Sequence, residues 1–302
     1  MQSHLASIVM LVFTMVIWGS AFVVTKGLND QLQPFSLALA RVAIGALLLL
    51  GFALLRQARG RSHSPWSALP WGTMIAMALI GVVMYYAVFN YALVYTSASQ
   101  GALVQSCIPT MTALVAVLWL REHASAMRWA GIALSMIGVG IVFSGAEAES
   151  GSGSLLGNSL MFVSAVLWGV YTSMAKKVAT YDPLQVTAGI LGVGALMLVP
   201  LAAFEIGPAG MPSLDRQGWL AIVYLGAGAS GVAYMLYSVA LKHVEASEAG
   251  VYTNLIPIVG VVTGVMLGEP LTSRAILGGV VVLVGVWLTS RQPSPAGSQA
   301  KA

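Results

Sequence analysis

Ten apolar runs follow one another along this chain, at about 5–26, 34–56, 68–95, 98–120, 127–144, 154–179, 183–204, 215–242, 246–267 and 273–290. Each is close to the roughly 20 residues that an α-helix needs to cross the hydrocarbon core of a bilayer. In lipid every backbone N–H and C=O must be satisfied within the protein, so a spanning segment is either a helix or a strand of a closed barrel. The ten-residue alternation of a barrel strand is absent, which leaves helices. Composition agrees: 8% of the 302 residues are charged and 58% are hydrophobic, whereas a soluble domain carries roughly 25% charged residues. The expectation is an all-α polytopic membrane protein of ten transmembrane helices. The first run lacks a basic start, since Met1 to Ser7 offers only His4. It is also a full bilayer thickness long, so it reads as a retained helix and not as a cleaved signal.

Lys and Arg set the expected orientation. With the N-terminus in the cytoplasm, Arg56, Arg59, Arg61, Arg121, Arg128, Lys176, Lys177, Lys242, Arg291 and Lys301 fall on the cytoplasmic side. Lys26, Arg216 and Arg274 fall outside, and Arg41 lies within a helix. Ten cations against three is the bias of a multi-pass membrane protein with both termini inside. The same scatter over loops argues against nucleic acid as a partner, despite a net charge of +4. The lone cysteine, Cys107, excludes an internal disulfide and a four-cysteine metal site.

The two halves overlay. Trp18-Gly19 matches Trp168-Gly169 and Lys26 matches Lys176, at an offset of 150. Pro34 matches Pro183, and Ala46-Leu47-Leu48 resembles Ala195-Leu196-Met197, at 149. Ala98-Ser99 matches Ala246-Ser247 and Pro109 matches Pro257, at 148. Glu122 matches Glu269, and Gly131 and Gly138 match Gly278 and Gly285, at 147. An ordered series with so little drift indicates duplication. The expected division is a first repeat over 1–144, an external acidic linker over 145–154, a second repeat over 155–290 and a disordered tail over 291–302. Five helices is an odd number, so the second copy enters the membrane from the opposite side. Inverted repeats about a midplane site are a transporter architecture, because exchanging the conformations of the two halves turns the site from one side to the other.

Trp18-Gly19-Ser20 in the first segment, Pro34 and Arg41 around the start of the second, Ala98-Ser99 and Pro109 in the fourth and Glu122 after it resemble the EamA domain of the drug/metabolite transporter superfamily. The resemblance covers roughly 8–143 and 157–289. It implies ten helices, an inner-membrane location and mostly export of amino acids or other metabolites. The second copy departs from the pattern where Ile190 stands at the position of Arg41, and where Trp168-Gly169-Val170 replaces Trp18-Gly19-Ser20.

Site candidates follow from polarity inside apolar segments. Pro109 and Pro257 interrupt segments four and nine, each removing a backbone hydrogen bond and freeing the carbonyl four residues earlier, on Gln105 and Thr253. Such paired interruptions point to a transporter site; they serve as substrate contacts, as hinges or as static kinks. Segments three and eight carry matched aromatic faces, Tyr86, Phe89 and Asn90 against Tyr234, Tyr237 and Ser238, each on one face by helical spacing. Apolar walls with a few neutral polar groups suit a compact amphipathic molecule; an interfacial aromatic belt is the alternative. Trp18 and Trp168 lie deep in their segments, either lining the cavity or packing. Gln100, Gln105, Tyr252, Thr253 and Asn254 are expected to face the protein interior. Arg41, about seven residues or roughly 10 Å into its helix, is either a partner for a substrate carboxylate or a structural cation. Glu248 begins segment nine and is either a coupling carboxylate or a solvated helix cap. Glycines 131, 138, 140, 278, 279 and 285 are expected to support the scaffold or form a homodimer contact.

The cavity is therefore expected among segments one, three, four, six, eight and nine. It favours an amino acid or similar zwitterion as substrate. Organic cations or drugs, and nucleotide-like or phosphorylated metabolites, are the alternatives. No cofactor is expected, since the Gly-rich phosphate loop of an ATPase is absent. The four histidines lie near loops or segment ends, so a membrane-embedded enzyme lacks an acid–base cluster.

Overall fold

The computed structural model describes residues 2–59, 65–119, 121, 124–146, 155–207, 213–240 and 252–290. Among them, nine helices are long and apolar enough to cross a membrane, and a tenth, Leu255–Met266, is shorter. We number them α1 (Gln2–Leu28), α2 (Pro34–Ala58), α3 (Trp71–Tyr95), α4 (Ala98–Trp119), α5 (Ala126–Ala146), α6 (Leu155–Ala175), α7 (Pro183–Ile206), α8 (residues 216–240), α9 (Leu255–Met266) and α10 (Ser273–Ser290). No strand occurs among the described residues. Pro34 and Pro183 each open a helix, where the missing N–H would have had no partner in any case.

Three pairs of helices at matching positions in the two halves, α2 and α7, α4 and α9, and α5 and α10, pack against each other and run antiparallel. In α4 and α9, Gly264 faces Ser99 while Gly260 faces Ala102, so one number rises as the other falls. In α5 and α10, Gly131 meets Thr289 and Gly285, and Gly138 meets Val282 and Gly278. In α2 and α7, Ser36 meets Glu205 at one end of the bundle and Arg56 meets Asp182 at the other. Equivalent helices that run in opposite directions are what an inverted repeat produces.

Of the two uses expected of the glycines in α5 and α10, close internal packing is the one seen at 131, 138, 278 and 285. A Cβ on Gly138 would lie 2.6 Å from the Val282 amide nitrogen and 2.8 Å from the Gly278 carbonyl oxygen. Gly279 abuts Leu103 of α4, whereas Gly140 has open space beside it. Two helices that both present bare backbone approach closely enough to gain dispersion contacts that lipid cannot replace. Gly138→Leu should therefore force α5 and α10 apart. The expected cost is about 1–3 kcal/mol or more, read as a lower unfolding temperature in detergent, while Gly140→Leu should leave it unchanged.

Helices α3 and α8 are not regular throughout. A wider π-helical turn occupies Leu79–Met84 in α3 and Tyr224–Val232 in α8. At the repeat offset of 148 the first of these falls on 227–232, inside the second. In α4 the helix is interrupted at Ser106–Cys107, just before Pro109, where Cys107 N bonds the Val104 carbonyl in a tighter turn. In α9 a turn at Asn254 precedes Leu255 and Pro257. Both prolines thus mark breaks in their helices, two or three residues before the ring.

Candidate functional site: an aromatic cluster at the centre of the bundle

The π-helical turns lie directly before the aromatic residues of α3 and α8. A π-turn adds a residue without adding a full turn, which rotates the side chains that follow and releases backbone carbonyls from the helical ladder. In α8 the Trp18 indole Nε1–H donates to the Ala229 carbonyl at 3.0 Å, within that turn. Thr14 Oγ1 donates to the Ala233 carbonyl at 3.4 Å.

The rings meet at the core. Trp18 contacts Tyr234 edge-on with centroids 5.3 Å apart, and Tyr237 at 5.4 Å. Trp168 lies 4.8 Å from Tyr85, 5.1 Å from Tyr171 and 6.5 Å from Tyr234. Tyr85 stacks on Phe89 at 5.6 Å and meets Tyr86 edge-on at 5.1 Å, while Phe89 meets Phe22 at 5.2 Å. One continuous cluster thus spans α1, α3, α6 and α8 and draws on both repeats. The glycine after each tryptophan has a matching role: a Cβ on Gly19 would strike Ile256 and Val259 of α9, and one on Gly169 would meet Met111 and Thr112 of α4. Met111 and Val259 correspond at the repeat offset. Each Trp-Gly pair thus seats its helix against the proline break of the other repeat, which brings the indole to the centre.

Neutral polar groups tie α4 to α6. The Gln105 amide donates to Ser164 Oγ at 2.6 Å, one helical turn before Trp168. Thr96 Oγ1 donates to Asn158 Oδ1 at 2.6 Å, and Asn158 Nδ2 donates to Gln100 Oε1 at 3.2 Å. Asn90 is fully buried, and its Nδ2 donates to the Pro34 carbonyl at 2.8 Å. This residue, expected to line the cavity, ties α3 to the start of α2, leaving only its Oδ1 without a partner. Tyr252 packs with Leu11, Met15 and Ala240 beside Tyr237. Thr253 is half-buried and helical, just before the turn at Asn254. Glu248 and the side chain of Ser238 lie outside the described residues.

Arg41 is buried, with its guanidinium carbon 4.5 Å above the Tyr86 ring. It sits among α1, α2 and α3, where Nη1 donates to Thr25 Oγ1 at 3.4 Å.

At one end of the bundle, carboxylates close three helix junctions with Lys26. Glu205 at the end of α7 accepts from Phe35 N at 3.1 Å, Ser36 N at 2.8 Å and Ser36 Oγ at 2.9 Å, in the first turn of α2. Glu269 accepts from Ala98 N at 2.7 Å, Ser99 N at 2.8 Å and Ser99 Oγ at 2.7 Å, in the first turn of α4. Gly268 makes this reach possible through a left-handed φ of 86°, a conformation that costs glycine nothing. Lys26 Nζ donates to the Leu93 carbonyl at 2.6 Å. A carboxylate at a helix N-terminus satisfies N–H groups that have no partner within the helix and meets the positive end of the dipole.

Toward the opposite end, a cleft of about 170 Å³ runs between α2, α7 and α8, from the Arg56–Asp182 ion pair (3.2 Å) inward to Tyr234.

Sequence reasoning missed Tyr85, Tyr171, Phe22, Asn158 and Ser164, because it looked for residues matched between repeats. Tyr85 falls opposite Ala233, Tyr171 opposite Ala21 and Phe22 opposite Thr172. Glu269 was legible only in part: the recurrence of Ala-Ser with a distant Glu in each half was visible, but nothing in it said that the carboxylate caps the helix of Ser99 in the other repeat; Glu205, which falls opposite Arg56 in the repeat, was missed.

Known proteins share this organisation. The model of the EamA-like transporter family matches residues 5–144 and again 155–291. An uncharacterized transporter of Archaeoglobus fulgidus is 28% identical over 286 residues, covering 94% of this chain and 98% of its own length. The uncharacterized transporter YyaM of Bacillus subtilis is 26% identical over 295 residues, covering 96% and 95%. A crystal structure superposes with a TM-score of 0.65 at 18% identity, covering 93% of this chain and 95% of that one, a likeness of fold. With two matches that together account for nearly the whole sequence, the chain belongs to the EamA-like transporter family of the drug/metabolite transporter superfamily.

Proposed function

We propose that this transporter exports a compact amphipathic metabolite, an amino acid or a similar zwitterion, by alternating access of its two inverted repeats. The observation that carries the reading is the aromatic cluster of Trp18, Tyr85, Trp168 and Tyr234, drawn from both repeats, with the neutral amide of Gln105 bonded to Ser164 one turn from Trp168. Rings supply apolar contact, and a few fixed dipoles orient a small ligand. A phosphorylated metabolite would call for clustered basic side chains, and Arg41 is the one cation described beside the rings. An organic cation would call for a carboxylate, whereas Glu205 and Glu269 are engaged in holding helix ends.

In proteoliposomes loaded with an amino acid mixture, labelled amino acid should accumulate by counterflow, and hexose phosphate should not. Exchange of organophosphates without any amino acid counterflow would overturn the reading.

The proposed orientation puts both termini in the cytoplasm, with Glu205, Glu269 and Lys26 at the external face. A periplasmically active reporter fused within 145–154 should be active, and one fused after residue 291 inactive; the opposite pattern would invert the proposed direction of every helix.

A further inference from the structure

Arg41 is a charge for which the described residues provide no counter-ion. Its side chain is 4% exposed. A guanidinium carries five N–H donors. Here Nη1 reaches Thr25 Oγ1 at a long 3.4 Å, and Nε is buried without an acceptor. No carboxylate lies within ion-pair distance of it among the described residues, where Glu205 and Glu269 hold helix ends and Asp182 pairs with Arg56. Buried arginines are normally paired or bonded to several acceptors, because a desolvated charge is otherwise costly. The Tyr86 ring beneath the guanidinium offsets part of that cost, and it fixes the plane of the group while leaving N–H edges unused.

Two further features bear on its role. The matching position in the second repeat is Ile190, which is buried in the α2–α7 core. The five-helix unit, built twice in this chain, is thus assembled once without the charge. Arg41 also adjoins the ring cluster: Tyr86 beneath it meets Tyr85 edge-on at 5.1 Å. The cleft between α2, α7 and α8 ends on Tyr234.

We propose that Arg41 is the specificity residue that receives a carboxylate of the transported molecule, whose apolar part lies among Tyr85, Trp168, Tyr234 and Trp18. The assignment rests on the reading of the aromatic cluster as the substrate site. A planar guanidinium held on a ring face suits bidentate pairing with a carboxylate. A neutral amide at the same place leaves the arginine unpaired, so the two should be discriminated strongly.

The test compares L-phenylalanine with L-phenylalaninamide, which differ only in that group, as competitors of labelled L-phenylalanine uptake into proteoliposomes. Wild type should prefer the acid by about tenfold or more. In R41M the ratio should fall to near one, and R41K, which keeps the charge but not the fork, should fall between. A wild type that takes both compounds equally would overturn the role of Arg41 while leaving the cluster as the site, and this needs no variant to fold. A ratio unchanged in R41K and in folded R41M would overturn it as well. If the protein takes neither compound, the reading of the cluster as an amino acid site fails, and the assignment of Arg41 falls with it.

Discussion

Glu269→Ala should release the first turn of α4 from its anchor, with protection of the 98–100 amides against hydrogen exchange falling by roughly 30- to 1000-fold. One carboxylate accepts from two backbone N–H groups and a hydroxyl on that turn. Hydrogen bonds to a charged acceptor each contribute about 1.5–3 kcal/mol. Glu269 is partly exposed, so water replaces some of what the alanine variant loses, and about 2–4 kcal/mol in total is the expected cost. Each 1.4 kcal/mol is a factor of about ten, which gives the range stated. Glu269→Gln keeps an acceptor oxygen but not the charge, so it should fall between wild type and alanine. The measurement is exchange mass spectrometry on a peptide covering 96–105. Protection within threefold of wild type in the alanine variant would show that the clamp does not hold the turn. The consequence for transport follows from where the clamp sits. It ties the loop between α9 and α10 to the start of α4, and so joins the two repeats at the end of the bundle that the proposed orientation places outside. In the proposed alternating access, opening toward that side breaks these bonds, so the variant should also shift the protein toward outward-open states.

Trp168→Ala should have the larger effect on the protein as a whole. Its ring bridges Tyr85, Tyr171 and Tyr234, and its removal leaves a void where α3, α6 and α8 converge. Truncating a fully buried tryptophan costs about 3–5 kcal/mol; Trp168 is partly buried, so the lower end of that range is expected. Part of that is the pairwise ring interaction, about 0.5–1.5 kcal/mol for each contact. Phenylalanine counterflow should be lost in this variant and largely retained in Trp168→Phe, which keeps a ring in place. Trp18→Phe provides the complementary comparison. It preserves the ring contacts to Tyr234 and Tyr237 but removes the donor to the Ala229 carbonyl, leaving an acceptor of the π-turn unpaired at about 1–3 kcal/mol. Unfolding temperatures separate damage to the scaffold from damage to the site: a Trp168→Ala protein with wild-type stability and a wild-type KM would exclude the cluster as the place where substrate binds.

The sequence alone determined the class of the fold, because lipid permits so few alternatives. Once a backbone has no water to bond, long apolar runs become helices whatever their side chains are, and the spans read from hydropathy agree with the helices to within a few residues, except for the start of the ninth, read at 246, of which 246–251 lie outside the described residues and the helix is Leu255–Met266. The repeat was equally legible, since matched Trp-Gly, Ala-Ser and proline positions survive in order. What only the tertiary structure decided is how each helix is rotated and which neighbour it meets. The π-turns of α3 and α8 have no signature in composition, yet they turn Tyr85, Tyr86 and Tyr234 toward one another. Asn90, on the same helix face as Tyr86, ends on the Pro34 carbonyl because α2 starts there. Glu205 and Glu269, far in sequence from the helices they cap, find them because the duplicated helices run antiparallel and bring a C-terminal end beside an N-terminal one. Hydrophobicity is a property of a segment and can be read locally. The partner of a polar group is a property of the assembled bundle, set by close approach between glycine-bearing helices, and so it appears only when the helices are together.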